Sequence, residues 1–212
     1  VYSYKIYDLV EINSIPIRKE EFVILKIHNK SIDIFVPKNQ SKYIKLDANN
    51  ANININLENS DSKIIFYQSE IIDSKISSQV IYPEEENLLA RYDLRLITGC
   101  NTFIDSKIIN TTLLSNNCYL EDAINLVRVE GNKLNLIINN AKFDGFDADY
   151  SRINFNTIQI KNSGNDCIDI SSGIYNFNNN FLKNCGDKAV SVGEKSISSF
   201  IDFTLSVNSS LE

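Results

Sequence analysis

The sequence has few of the residues on which common catalytic and binding motifs are built. Its 212 residues include no Met, no Trp, one His, three Pro and seven Gly. So few glycines disfavour a glycine-rich phosphate-binding loop, and no G-x-S-x-G string or Cys/His pair indicates nucleophilic catalysis. We interpret the single histidine, His28, as a surface residue. Carboxylates, amides and lysines are left as the groups that can carry chemistry.

The charge balance is acidic, and long apolar runs are missing. With 27 acidic and 21 basic residues, the net charge of -6 disfavours nucleic acid as a partner, because phosphate binding requires a basic surface. No apolar run approaches the roughly 18 residues of a membrane span, and no secretion signal opens the chain. We interpret the sequence as a fragment of a longer chain with other domains, and residues 211–212 as a vector remnant.

A period of 22 residues organises residues 122–192. The hexamers that begin at Glu121, Phe143, Asn165 and Asp187 align, and each lies 22 residues after the last. Such a period is typical of a solenoid, in which each repeat is one coil and residues one period apart become neighbours. Short turns and β-branched strands predict an all-β fold, a right-handed single-stranded parallel β-helix with coils of about 22 residues. A leucine-rich horseshoe fits less well because its consensus is missing.

The period sorts the side chains into columns. Asn140, Asn162 and Asn184 form one column at a turn, where we predict a ladder of amide hydrogen bonds. Other columns are apolar and are predicted to point into a dry core. These are Ile124/Phe146/Ile168/Val190, Leu126/Ala148/Ile170/Val192, Leu136/Ile158 and Ile138/Ile160.

The four cysteines are Cys100, Cys118, Cys167 and Cys185. No C-x-x-C pair indicates zinc. In the repeat, Cys167 stacks on Ala189, and no cysteine lies directly above another. We therefore expect small, buried free thiols in an apolar interior.

The first part of the chain is less regular. Residues 1–60 carry short alternating segments without helical periodicity, so we predict a short all-β N-terminal segment or cap. The parallel β-helix is predicted over residues 61–210. Two alternatives stay open for the first segment: a small sandwich, or the first irregular coils and cap of the solenoid.

Acidic side chains recur at fixed phase in the repeat. Asp144 and Asp166 form one column that ends at Lys188, Asp147 and Asp169 belong to the next, and we expect both columns to face outward. Carboxylates about 4.8 Å apart repel by roughly 3 to 4 kcal/mol at an effective dielectric near 20. Relief can come from nearby Lys or Arg, from Ca²⁺, or from protonation of one acid as in a glycosidase. The alternative is that these Asp residues cap turns and point into water.

Three strings in consecutive coils carry a family resemblance: DGFDAD at 144–149, GNDCIDIS at 164–171 and CGDKAVSVGEKS at 185–196. They look like the pectin-lyase-like superfamily of right-handed parallel β-helices. Within it, they are most similar to bacterial β-helix domains of envelope-associated proteins and of proteins with CotH-type kinase modules. The resemblance covers about residues 95–200. It implies the fold, an association with carbohydrate, and an extracellular or cell-envelope location.

A more distant resemblance, to polygalacturonases, is incomplete. Their coils carry N-T-D, D-D-C and G-H-G strings, whereas here Asn165 replaces the first acid of the pair and Asp187 replaces the histidine. A polysaccharide lyase or epimerase is easier to build from these residues. Proton abstraction beside a uronate carboxylate needs a base, such as Lys, Arg or Tyr, and a group that neutralises the carboxylate.

The acid columns and the resemblance together define a candidate site for acidic polysaccharide. The catalytic candidates are Asp144, Asp166, Asp169, Asp187 and Lys188, and the substrate-binding candidates are Asp147, Arg128, Tyr150, Arg152 and Glu194. Ca²⁺ is the one candidate cofactor. The alternative function, from a different class, is a non-catalytic structural or adhesion module of a cell-envelope protein. Fold resemblance alone does not choose between them.

Overall fold

The computed structural model describes residues 2–3, 23–82 and 99–206. Over these residues the chain is all-β and forms a right-handed parallel β-solenoid of about eight turns, which confirms the predicted fold class. The expected vector remnant at 211–212 lies outside the described residues.

Each coil turns three corners and contributes strands to three faces, which we call faces I, II and III. Face I contains β6 (Lys63–Tyr67), β9 (Gly99–Ile104), β12 (Asp122–Val127), β14 (Asp144–Asp149), β16 (Ile168–Ser171) and β19 (Val190–Val192). Face II contains β7 (Glu70–Ile72), β10 (Lys107–Ile109), β17 (Ile174–Phe177) and β20 (Ile197–Phe200). Face III contains β3 (Ser31–Val36), β5 (Asn52–Asn59), β8 (Lys75–Tyr82), β11 (Thr112–Cys118), β18 (Asn180–Cys185) and β21 (Phe203–Ser206).

Four longer strands pass through corners. β13 (Glu130–Ala141) and β15 (Arg152–Ser163) run from face II into face III, whereas β2 (Val23–His28) and β4 (Ser41–Asn49) run from face I into face II. A short strand, β1 (Tyr2–Ser3), pairs antiparallel with β2.

Neighbouring coils pair in parallel and in the predicted register. Asp122 pairs with Asp144 and Ile168 with Val190, in agreement with coils of about 22 residues. The spacing is larger between β7 and β10, which pair across 37 residues. The period therefore predicts neighbours correctly in the C-terminal half of the chain.

Residues 23–59 are coils of the same solenoid. β3 pairs in parallel with β5 from Ser31 opposite Asn52 to Val36 opposite Leu57, and β5 pairs in parallel with β8. Residues 23–59 therefore continue the parallel pairing of the later coils.

Left-handed backbone at the corners explains why Asn is so frequent in this chain. At the corner between faces III and I, φ is 61° at Asn140 and 60° at Asn162, and at the corner between faces I and II it is 52° at Arg128 and Tyr150. Asn adopts this conformation more readily than most other residues that carry a side chain. In a chain with few glycines, Asn thus supplies many of the corner residues.

The predicted Asn ladder is confirmed. Asn162 Nδ2 donates to Asn140 Oδ1 at 2.8 Å, and Asn184 Nδ2 donates to Asn162 Oδ1 at 2.8 Å. The row continues to Asn117, which accepts from Asn140 at 3.0 Å. Each bond joins adjacent coils, so the ladder ties the solenoid together along its axis.

The interior is a continuous stack of apolar side chains. The ring centroids of Phe155 and Phe177 lie 5.2 Å apart, and those of Phe177 and Phe200 lie 4.5 Å apart. The predicted inward columns are confirmed by the burial of Ile124, Phe146, Ile168, Leu126, Ala148, Ile170, Leu136, Ile158, Ile138 and Ile160. In the last coil, by contrast, Val192 is exposed.

The expectation of four free thiols is wrong. Cys100 forms a disulfide with Cys118, and Cys167 forms one with Cys185, with Cα atoms 6.1 and 5.3 Å apart. Stacking between coils does not bring these residues together. Each disulfide instead closes a single coil, because the first residues of face I and the last residues of face III in one turn meet at the same corner.

A hydroxyl column supports the corner between faces I and II. Ser151 Oγ accepts the backbone N–H of Val129 at 2.9 Å. One coil later the corresponding position is Gly173, where a Cβ would collide with the Tyr175 phenol. The Tyr175 hydroxyl takes the place of the missing serine: it lies 3.4 Å from Ser151 N and 2.9 Å from the Ala148 carbonyl oxygen.

We expect Tyr175→Phe to lower the free energy of unfolding by about 1 kcal/mol, because a buried N–H and a buried carbonyl lose their partner. Urea denaturation measures the difference. Tyr150→Phe is the matched control, since the Tyr150 side chain is 63% exposed and its loss of a hydroxyl should change nothing. Equal stability of the two variants would contradict a supporting role for the Tyr175 hydroxyl.

Candidate functional site

The sequence-predicted site residues are distributed along the whole width of face I. Asp144, Asp166, Asp187 and Lys188 lie at the corner where the chain enters this face from face III. Asp147 and Asp169 lie in the middle of the strands. Arg128, Tyr150, Arg152 and Glu194 lie at or beyond the far end of the strands. At about 3.3 Å per residue, the two ends of a six-residue strand are roughly 16 Å apart, so the first and last groups do not meet.

At the entry corner, two of the candidate acids are buried. Asp144 Oδ1 accepts the backbone N–H of Asp166 at 2.8 Å and the side-chain amide of Asn165 at 2.7 Å. One coil later, Asp166 Oδ1 accepts the backbone N–H of Lys188 at 2.8 Å. Asp144 and Asp166 are 9% and 4% exposed, so the expectation that this column faces outward is wrong. Each carboxylate caps the turn of the next coil.

Burial raises the pKa of Asp144, because removal from water disfavours the ionised carboxylate. The hydrogen bonds from the Asp166 N–H and from Asn165 act in the opposite direction. The Asp144 carboxyl already accepts hydrogen bonds from two donors of the protein. It therefore has fewer acceptor positions left for a ligand.

Lys188 is paired with both neighbouring acids. Its Nζ lies 2.6 Å from Asp187 Oδ2 and 3.5 Å from Asp166 Oδ2. The hydrogen bond to Asp187 raises the pKa of Lys188. A general base has to be deprotonated before it can accept a proton. This arrangement therefore favours the charged ammonium of Lys188 rather than the neutral amine that proton abstraction needs.

The middle of face I carries a polar outward column. Thr102, Asn125, Asp147 and Asp169 are neighbours in consecutive coils. Asn125 Nδ2 donates to Asp147 Oδ2 at 2.9 Å and to Asp122 Oδ2 at 3.0 Å. The amide thus lies between two carboxylates and stabilises both, where a cation would otherwise be expected.

Three acids of this surface have raised pKa values. Burial raises the pKa of Asp147 well above its usual range, and the nearby charges of Asp122 and Asp149 add to the effect. Burial likewise raises the pKa of Asp149 and Asp169, which repel each other, and a hydrogen bond with Ser191 partly offsets the shift of Asp169. We call Asp147, Asp149 and Asp169 the acidic row.

The candidates at the far end of face I differ from one another. Arg128 is engaged with Asp105 through two hydrogen bonds, of 2.6 Å from Nε and 3.0 Å from Nη2. Tyr150, Arg152 and Glu194 are exposed. Tyr150 and Arg152 therefore present exposed side chains at or beyond this end of the strands, whereas the guanidinium of Arg128 is already used within the fold.

Two further residues of this surface are absent from the sequence-based candidates. Asp149 belongs to the acidic row, and Asn125 bridges two of the carboxylates that surround it. The strand alternation contains the signal for Asp149: since Phe146 and Ala148 point inward, Asp147 and Asp149 must point outward. The bridging role of Asn125 depends on a rotamer, which the sequence pattern does not encode.

The acids do not converge on a metal centre. Within residues 23–82 and 99–206, no group of three or more His, Cys, Asp or Glu side chains is arranged to hold a metal ion. The donor set of face I therefore does not fit a Ca²⁺ site built from carboxylates alone.

The described residues also contain no helix long and apolar enough to cross a membrane. Comparison with known proteins adds no relative: neither a protein-family model nor a curated protein matches the chain.

Proposed function

We propose that this chain is a carbohydrate-associated module of the pectin-lyase-like superfamily, and that the acidic row on face I acts on acidic polysaccharide. The observation that carries the proposal is that Asp147 stacks on Asp169 of the next coil, and that Asp149 lies two residues after Asp147 on the same outer surface. None of the three has an ion-pair partner in the part of the chain that the structure describes. Such a row suits the hydroxyl and carboxyl groups of a uronate polymer, which both donate and accept hydrogen bonds.

The raised pKa values supply the acid–base chemistry. A protonated carboxyl of the row can donate its proton to a glycosidic oxygen, or hydrogen-bond to a uronate carboxylate that an ionised row would repel. An ionised neighbour can accept a proton from water or from the carbon next to the uronate carboxylate. The proposed reaction is accordingly hydrolysis, or the proton abstraction of a lyase or epimerase.

Incubation with a panel of uronate polymers, with and without Ca²⁺, tests the proposal. We expect new reducing ends, unsaturated product or epimerised residues from the wild-type chain. Asp147→Asn and Asp169→Asn should each lower the rate by at least roughly tenfold, because the row loses a titrating group. The readouts are reducing-sugar release, absorbance of the unsaturated product and NMR of the polymer.

The matched control is Asp33→Asn, which removes an exposed carboxylate from an outer strand of face III. Its rate should equal that of the wild type. Absence of all three products from the wild type would exclude the enzymatic proposal. Activity that survives both Asp147→Asn and Asp169→Asn would exclude the acidic row as its site.

The second candidate, a non-catalytic structural or adhesion module of a cell envelope, has a specific observation in its favour. Two catalytic candidates, Asp144 and Asp166, cap turns with buried carboxylates. This candidate predicts binding of uronate polymer, or of no polymer, without turnover. Equilibrium binding to immobilised polymer, measured beside the activity assay, separates the two functions.

The disulfides support a location outside the cytosol for either function. Each closes one coil of the solenoid, and such cross-links persist in oxidising compartments. We therefore propose an extracellular or cell-envelope location.

A further inference from the structure

In the C-terminal half of the chain, face III is charged oppositely to face I. Its strand segments at 112–118, 135–141, 157–163 and 180–185 contain no Asp or Glu. They contain two lysines, Lys161 and Lys183, which pair in register in adjacent coils. A chain with a net charge of -6 thus places a basic surface and an acidic surface on different faces of the same coils.

The two lysines point outward and lack a counter-charge. They alternate along their strands with the buried Ile160 and Leu182, and both lysine side chains are partly exposed. Neither has an ion-pair partner among the described residues. Ammonium groups on strands about 4.8 Å apart repel each other. An anion from outside the chain would relieve this repulsion, because these strands offer no carboxylate that could do so.

An aromatic ring and two amides lie beside the lysines. Gln159 and Phe181 are neighbours in the adjacent outward column, and Asn139 precedes Lys161 in the lysine column. All of these side chains are partly exposed. Lys161 Nζ lies 5.9 Å from the centroid of the Phe181 ring. We call Asn139, Gln159, Lys161, Phe181 and Lys183 the basic patch.

The composition of the basic patch suits a uronate polymer better than other polyanions. Each sugar of such a polymer offers a carboxylate to an ammonium, hydroxyls to amides and a ring face of C–H groups to an aromatic side chain. Nucleic acid is held through many phosphate contacts, for which two lysines in an acidic chain are too few. Anionic membranes attract clusters of about four or more basic residues, which this face also lacks.

We propose that the basic patch is a binding site for uronate polysaccharide, separate from the acidic row and on another face of the same coils. The polymer lies along the solenoid axis, because Lys161 and Lys183 follow each other in that direction. Its carboxylates bind the two ammonium groups, and a sugar ring packs on Phe181. The patch holds the polymer and takes no part in the reaction. It rests on the proposed function only for the choice of polymer.

Equilibrium binding of the full chain to polygalacturonate at low salt tests the site. Lys161→Glu/Lys183→Glu should raise the dissociation constant by at least roughly tenfold, because two ion pairs become repulsive. Phe181→Ala should raise it by about threefold through loss of the ring contact. The matched control is Lys75→Glu/Lys133→Glu, which changes the net charge equally through exposed lysines at the opposite edge of face III. Its affinity should equal that of the wild type.

Lysine acetylation in the presence and absence of polygalacturonate locates the contact without any substitution. The polymer should slow the modification of Lys161 and Lys183 at least roughly threefold, because an ion-paired ammonium is shielded. Lys75 and Lys133 should react at unchanged rates. Equal protection of all four lysines, or unchanged affinity of Lys161→Glu/Lys183→Glu, overturns the site.

The outcomes for this site and for the acidic row are distinguishable. Asp147→Asn/Asp169→Asn should keep the sensitivity of polymer binding to Lys161→Glu/Lys183→Glu. If the wild type binds through the patch without any turnover, the proposed reaction fails and this site stands. Turnover with binding that is insensitive to the patch lysines has the opposite meaning. Tighter binding to DNA or to anionic phospholipid vesicles than to polygalacturonate overturns the choice of ligand.

Discussion

Removal of the disulfide between Cys167 and Cys185 is expected to lower the free energy of unfolding by about 3 kcal/mol. The cross-link spans 18 residues, and the loop-entropy relation for a loop of that length gives about 3 kcal/mol at 25 °C. Alanine is the suitable replacement, because Cys167 is fully buried and a serine hydroxyl would need a partner there. Urea denaturation of the Cys167→Ala/Cys185→Ala variant measures the loss.

The other disulfide provides a matched comparison. Cys100 and Cys118 are separated by the same number of residues, so Cys100→Ala/Cys118→Ala should cost a similar free energy. Reductant should lower the unfolding midpoint of the wild type and leave a variant without cysteines unchanged. Alkylation of the wild type, unfolded without reductant, should modify no thiol. Four modified thiols would contradict both disulfides.

The spacing of the cysteines shows which contacts a repeat can and cannot predict. The period identifies residues one coil apart, and the pairing of Ser163 with Cys185 agrees with it. To predict a disulfide within one coil, the distance between the first and last residues of that coil has to be known instead. That distance depends on where the three corners fall. In this chain the corners use Asn and other residues instead of Gly, so the sequence marks them weakly.

The acidic columns show a similar division. The period correctly predicts that Asp144 lies beside Asp122 of the preceding coil and beside Asp166 of the following coil. The direction in which a side chain points is a separate property, and it alternates between inward and outward along a strand. Asp144 has the same parity as Phe146 and therefore turns inward, whereas Asp147 has the opposite parity and turns outward. The alternation, applied to each column in turn, thus distinguishes the turn caps from the acidic row by sequence position alone.

The electrostatics of the row depend on tertiary structure and are not contained in the pattern. The sequence predicts that stacked carboxylates repel, and it offers a cation, a basic side chain or a proton as relief. In the structure, the side-chain amide of Asn125 relieves part of the repulsion, because it donates hydrogen bonds to both Asp122 and Asp147. Burial, together with the remaining repulsion, raises the pKa values of Asp147, Asp149 and Asp169.

These raised pKa values predict that the protein becomes more stable as the pH falls through them toward the ordinary carboxyl value of 3.8. A carboxyl whose pKa is raised in the folded state holds a proton that the unfolded chain releases. Between the ordinary value of 3.8 and the raised value, the folded state therefore binds more protons, and its stability falls as the pH rises. This direction is opposite to that of a carboxylate stabilised by a salt bridge. Urea denaturation at a series of pH values measures it.

The variant Asp147→Asn/Asp169→Asn assigns the effect to the acidic row. Two adjacent carboxylates about 4.8 Å apart repel by roughly 3.5 kcal/mol at an effective dielectric of 20, and partial exposure reduces this to about 2 kcal/mol. We expect the variant to gain about that much stability at pH 7.5 and to lose most of the pH dependence, while Asp33→Asn keeps the wild-type profile. A variant less stable than the wild type at pH 7.5 would mean that both carboxylates are stabilised when ionised. That result would contradict the raised pKa values of the acidic row, since a raised pKa means that the folded state disfavours the ionised carboxylates.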